Sequence, residues 1–109
     1  QEKFKSFVTE RNWAQFHTPK NVSMALSIEA AELMEIFQWS GSQESFEVAQ
    51  EKNEAVCDEV ADVVLYAIAF CNATNIDLTQ AILHKMEKNA KKYPIEKCKG
   101  RTTKYTELK

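Results

Sequence analysis

Two glycines (Gly41, Gly100) and two prolines (Pro19, Pro94) are the only backbone breakers in this chain of 109 residues. Their scarcity excludes an all-β fold rich in turns and leaves room for long uninterrupted helices. No run of 18 apolar residues occurs, which excludes a membrane-spanning helix, and the opening stretch QEKFKSFVTERN lacks the apolar core of a signal peptide. The chain is therefore expected to be soluble and cytoplasmic, with no membrane partner. Cysteine is limited to Cys57, Cys71 and Cys98, without C-x-x-C spacing or a histidine cluster to complete a zinc site. Cys57 and Cys71 fall 14 residues apart on one expected helix, roughly 21 Å, too far to bridge. Free thiols follow. Also missing are a G-x-x-x-x-G-K-[ST] loop, a G-x-G-x-x-G turn and a nucleophile elbow.

What is present suits one domain spanning residues 1–109. Hydrophobic residues make up 44% and charged residues 28%, the balance of a globular chain. The net charge is only −2, but it is unevenly spread. Residues 1–84 carry 13 acidic and 5 basic side chains, whereas residues 85–109 carry 9 basic and 3 acidic ones. Such a basic end could bind nucleic acid, supply phosphate ligands to a site built from the acidic part, or be a solvated helix end.

Periodicity predicts four helices. The first covers 1–12, with Phe4, Phe7 and Val8 as its apolar stripe. The second starts at Thr18, an N-cap followed by Pro19, and runs to about Trp39 before Ser40-Gly41. The third begins between Phe46 and Gln50 and continues to about Asn75. The fourth, 78–93, is capped by Asp77 or Thr79 and closed by Pro94. Beyond it lies a basic tail without periodicity.

Two acidic motifs interrupt the apolar helices: Glu29-Ala-Ala-Glu32 and Glu59-Val-Ala-Asp62. Three residues of helix are about 300° of rotation and roughly 4.5 Å of rise, so each pair sits on neighbouring turns. Val22, Leu26, Leu33 and Ile36 continue the seam carrying Glu29, and Val56, Val63 and Ala67 flank Glu59. Carboxylates on an inward face are costly unless protonated or paired with a cation. Lysines, which would pair with acids on a solvated face, are few nearby: Lys20 on the second helix and Lys52 well before Glu59. Glu29, Glu32, Glu59 and Asp62 are thus candidate ligands of a hard cation, Mg²⁺ or Mn²⁺. A di-iron bundle would need Glu-x-x-His, but Ala14 and Ala81 stand three residues before His17 and His84.

With no nucleophilic side chain nominated, a water nucleophile and metal-assisted hydrolysis of a phosphate ester or anhydride form the natural class. Lys85, Lys88, Asn89, Lys92 and Tyr93 recur along one stripe able to grip phosphate oxygens. Trp13, in a broken polar stretch, and Trp39, at a helix end, stand where they could wall a base pocket. The third helix is apolar nearly all round from Val60 to Cys71, so self-association is expected to cover it.

Together these stretches carry a resemblance. E-x-x-E, a spacer, E-x-x-D and then K-x-x-x-N-x-x-K-Y-P resemble the MazG-type all-α nucleoside triphosphate pyrophosphatases, and within them the dCTP pyrophosphatase branch. The matching segments read RNWAQFHTPKN, EAAELMEIFQW, DEVADVVLY, KMEKNAKKYP and GRTTKYTEL. The resemblance implies an all-α, four-helix MazG-like unit assembled into a dimer or a dimer of dimers (a homotetramer), with sites shared between subunits. It implies Mg²⁺-dependent conversion of a nucleoside triphosphate, dCTP or a related deoxynucleotide, to the monophosphate and pyrophosphate. By the same resemblance Glu29, Glu32, Glu59 and Asp62 bind metal, with Glu29 or Glu32 receiving the proton of the attacking water. Trp13, His17, Trp39 and Tyr66 contact base and sugar, and Lys85, Asn89, Lys92 and Tyr93 hold phosphates. No stable nucleic-acid partner is implied. Two other readings stand beside it, a non-catalytic helical adaptor binding nucleic acid through its basic tail and a phosphoribosyl-ATP pyrophosphohydrolase. The aromatic FQW and NWAQFH segments weigh against the latter.

Overall fold

Helix α1, Glu2–Glu10, stops where Asn12 enters the left-handed region at φ 56°. The Asn12 N–H then reaches the Thr9 carbonyl at 3.0 Å and the Trp13 N–H reaches that of Val8 at 3.1 Å. This pair of bonds is the Schellman closure, with asparagine in the place glycine usually takes. The computed structural model describes residues 1–98, and every regular element among them is helical. They fall into two compact units, Gln1–Ile76 and a second that begins at Asp77.

In the first unit, α1 leads through a short 3₁₀ turn, Ala14–Phe16, into α2, Pro19–Phe37. Thr18 caps α2 as expected: its side chain accepts from the Asn21 N–H at 3.1 Å, and Pro19 takes the first helical position. The expected long third helix is two helices, α3 (Glu44–Glu51) and α4 (Asn53–Thr74). Lys52, at φ −105° and ψ 31°, interrupts the ladder between them. It lies in the polar run Gln50-Glu51-Lys52-Asn53-Glu54, where no apolar side chain holds a straight helix in register. α4 ends at Asn75, again left-handed at φ 58°, with the Ile76 N–H on the Cys71 carbonyl at 2.9 Å.

The packing of this unit centres on α2 against α4, with α1 lying on α4. Val8, Val22, Ala69 and Cys71 are buried. The predicted seams hold: Leu26, Leu33, Ile36, Val56, Val63 and Ala67 are all half-buried. Yet Met24, Ile28, Met34, Val60 and Val64 remain exposed, so α2 and α4 carry apolar surface that packing among the described residues leaves uncovered. Cys57 is exposed and Cys71 buried, both as free thiols.

The second unit contains α5, Leu78–Lys92, and α6, Ile95–Cys98. Asp77 is the cap, accepting from the Gln80 N–H at 3.1 Å. Its carboxylate also places negative charge at the positive end of the helix. The tail read as aperiodic therefore opens with one helical turn. Its remainder, including GRTTKYTEL, and the Cys98 side chain lie outside the described residues. No described helix is long and apolar enough to cross a membrane.

Candidate functional site

Glu29 and Glu59 each turn one carboxylate oxygen, Oε2, into a position closed to solvent, and among the described residues no donor meets either. They reach that position because the seams of α2 and α4 are apolar on both sides of them, so burying the seams carries the acids inward. Asp62, one turn after Glu59 on α4, joins them. One oxygen from each of Glu29, Glu59 and Asp62 lies within 4.8 Å of the others. A buried acid with no donor is costly, and three together more so. A surface ion pair does not account for the buried oxygens, because among the described residues no side chain donates to them.

Titration follows the same geometry. The Glu29 carboxyl is held above its ordinary value, first because a proton retained there can bridge to Glu59, then by desolvation, with repulsion from Glu59 and Asp62 adding to it. Glu32 is also raised, first by sharing a hydrogen bond with Glu29 and then by repulsion from Glu29 and by desolvation. Unlike the others, Glu32 is exposed and stands outside the group of three. Of the four acids nominated as ligands, the structure gathers three into one cluster and leaves the fourth at its edge. The cluster fits a cation: an all-oxygen donor set suits Mg²⁺ or Mn²⁺, and a divalent charge would satisfy the two orphaned oxygens.

Beside the acids lies an open cleft of about 170 Å³ lined by Phe4, Trp13, His17, Asp62, Leu65 and Tyr66. Three of the four residues expected to contact base and sugar, Trp13, His17 and Tyr66, thus share one cleft with a carboxylate of the cluster. Local structure explains their placement. The α1 closure fixes the Trp13 backbone. The 3₁₀ turn then carries the chain to His17, whose N–H reaches the Ala14 carbonyl at 3.1 Å. Tyr66 follows Asp62 by four residues, on the same side of α4. His17 also lines a second cavity of about 210 Å³ with Lys5, Thr9 and Asn72.

Trp39 is different. It follows α2 in a turn, is 91% exposed, and does not line the cleft with Trp13. Phe4 and Leu65 are walls that sequence reasoning missed. Leu65 was legible as the residue three after Asp62, whereas Phe4 looked like part of the α1 core stripe. In the second unit Lys85, Asn89 and Lys92 fall within roughly 60° of one another on α5. All three are exposed, and the Tyr93 N–H ends the helix on the Asn89 carbonyl at 2.8 Å.

Comparison with known proteins gives the following. Residues 24–108 match the MazG-like family. The chain is 39% identical to dCTP pyrophosphatase 1 of Bos taurus over 104 residues, 94% of this chain and 62% of that protein. It is 38% identical to dCTP pyrophosphatase 1 of Homo sapiens, again over 94% of this chain but 61% of the relative. The chain thus spans about three-fifths of the length of these curated relatives. Among solved structures, a pyrophosphatase from Archaeoglobus fulgidus superposes with a TM-score of 0.81 at 44% identity, over 85% of this chain and 87% of that one.

Proposed function

This chain belongs to the MazG-like family, and from that premise we propose that it is a Mg²⁺-dependent nucleoside triphosphate pyrophosphohydrolase. Its substrate is dCTP or a related deoxynucleoside triphosphate, which it cuts to the monophosphate and pyrophosphate. The single observation that carries the reading is that Asp62 belongs to both features, the three-carboxylate cluster and the cleft of Trp13, His17 and Tyr66. A group that binds a phosphate-seeking cation next to a cleft for a flat ring describes a nucleotide site. The names of the curated relatives and of the structural neighbour support the same chemistry. Residues 1–109 act in this reading as one MazG-like nucleotide pyrophosphohydrolase domain.

Within it, Glu29, Glu59 and Asp62 would hold the metal, with Glu32 completing the acidic set. A bound Mg²⁺ would supply charge neutralisation on the phosphoryl oxygens and a lowered pKa for the attacking water. Water attacks the α-phosphorus, an oxygen–phosphorus bond forms, and the bond from that phosphorus to the bridging oxygen breaks to release pyrophosphate. Glu32 receives the water's proton, a role suited to an exposed carboxylate whose basicity is raised by Glu29. Trp13 and Tyr66 flank the base and sugar, with His17 as a hydrogen-bonding group and Trp39 as a further aromatic contact. Lys85, Asn89, Lys92 and Tyr93 are assigned to the phosphates on charge and spacing alone.

The working form is a homodimer or homotetramer. The exposed Met24, Ile28, Val60 and Val64 support this, since association would remove their surface from water.

The test is direct. Purified protein with Mg²⁺ is given a panel of standard and modified triphosphates, and products are resolved by chromatography. Equal amounts of monophosphate and pyrophosphate are expected, with a deoxycytidine nucleotide among the best substrates. Release of orthophosphate without pyrophosphate, or no turnover of any triphosphate, would overturn the reading.

A further inference from the structure

Trp13 lines the cleft but is 46% exposed, so burial alone does not fix its ring. What meets it is Phe7 on α1, which does not line that cleft but lines another, of about 420 Å³, that shares Phe4 and Leu65 with it. The two rings are 5.8 Å apart between centroids and inclined at 71°, an edge-to-face pair. Phe7 is itself held from two sides. Phe4, a cleft residue, stacks with it at 6.1 Å and 13°. The Arg11 guanidinium lies 3.6 Å from its ring centroid, and Arg11 Nη1 donates to the Phe7 carbonyl at 3.0 Å. In the Schellman closure of α1 a contact between the residue after the left-handed position and the last turn is the usual companion, and here Trp13 and Phe7 make it.

We propose that Phe7 is a positioning residue, setting the orientation of Trp13 in the nucleotide cleft through its edge-to-face contact. The inference rests on the reading of Trp13 as a wall of that cleft. An edge-to-face pair is directional, because the ring edge is positive and the face negative, so a merely apolar replacement keeps the volume and loses the orientation. Arg11, lying against Phe7, helps hold the positioning ring.

The experiment compares Phe7→Leu, Phe7→Tyr, Trp13→Ala and the double variant Phe7→Leu/Trp13→Ala in steady-state hydrolysis of dCTP with Mg²⁺. Trp13 fluorescence is read in a Trp39→Phe background. Phe7→Leu is expected to raise KM about 3- to 10-fold with kcat within about twofold, as for a contact made equally with substrate and transition state. Its Trp13 emission should shift to the red with lower anisotropy, and Phe7→Tyr should restore both readouts. In the Trp13→Ala background the Phe7 change should add nothing to KM. Unaltered KM and emission in Phe7→Leu, or an undiminished KM effect without Trp13, would overturn the positioning role while leaving the cleft intact. If Trp13→Ala alone leaves KM unchanged, the assignment of Trp13 to the cleft fails first, and the positioning role falls with it.

Discussion

Glu29 on α2 and Glu59 on α4 face each other across the packed seam, and the Oε2 atom of each is closed to water with no donor among the described residues. The strongest influence on the Glu29 carboxyl is the hydrogen bond that a retained proton could make to Glu59. Two states relieve this arrangement, a shared proton or a bound cation. Most of the testable behaviour of the protein follows from the competition between them.

Replacing Glu59 with Gln should cut turnover by far more than tenfold, which corresponds to more than ~1.4 kcal/mol of barrier. Thermal stability without metal should stay equal or rise, because the change removes a charge from a crowded site. Steady-state assay and calorimetry on the same preparation check both. A variant keeping more than about a tenth of the activity would remove Glu59 from the ligand set.

The pH dependence of the metal-free protein has a defined sign. Glu29 and Glu32 bind protons more tightly when folded than their ordinary value of 4.5 allows. Their contribution is fully present below that value and is lost as pH rises through the folded values. Melting of EDTA-treated protein should therefore show a destabilising component above pH 4.5 that Glu29→Gln/Glu32→Gln lacks. Saturating Mg²⁺ should oppose the trend, since the cation binds the ionised form. Identical pH profiles for wild type and the double variant would contradict the shifts.

Magnesium alone should raise the melting temperature modestly, and more when a non-hydrolysable triphosphate is present, because phosphate oxygens complete the shell that water otherwise fills. Full hydrolysis after thorough EDTA treatment would end the metal mechanism.

Trp39, at 91% exposure, contributes little packing against the described residues. Trp39→Ala should therefore change stability by less than ~0.5 kcal/mol. If another subunit brings this ring to the base, KM should rise by the equivalent of ~1–3 kcal/mol of stacking. Lys85→Ala should act on kcat instead, through charge that develops as pyrophosphate departs. An unchanged KM for Trp39→Ala would exclude Trp39 from the base site.

Light scattering at micromolar concentration should return a dimer or tetramer. An active monomer would overturn both the association argument and the sharing of sites between subunits.

Much of the architecture was legible before folding, because it is local. Thr18-Pro19 and Asp77 announce helix starts by their capping chemistry, and the seam from Val22 to Ile36 shows which face of α2 turns inward. The acidic motifs were conspicuous because carboxylates on an apolar seam contradict their surroundings. What periodicity determines is the face on which a residue lies, and so by itself it put Glu29 and Glu59 on the inward seams, with Glu32 and Asp62 beside them one turn on. Distances between helices come only from packing across them. Tertiary structure alone placed one oxygen each of Glu29, Glu59 and Asp62 within 4.8 Å of one another, left Glu32 outside, and made Asp62 common to the cluster and the cleft. It also broke the long helix at Lys52, where a polar stretch has no apolar contacts to dictate its course, and turned Phe4 from an apparent core residue into a cleft wall.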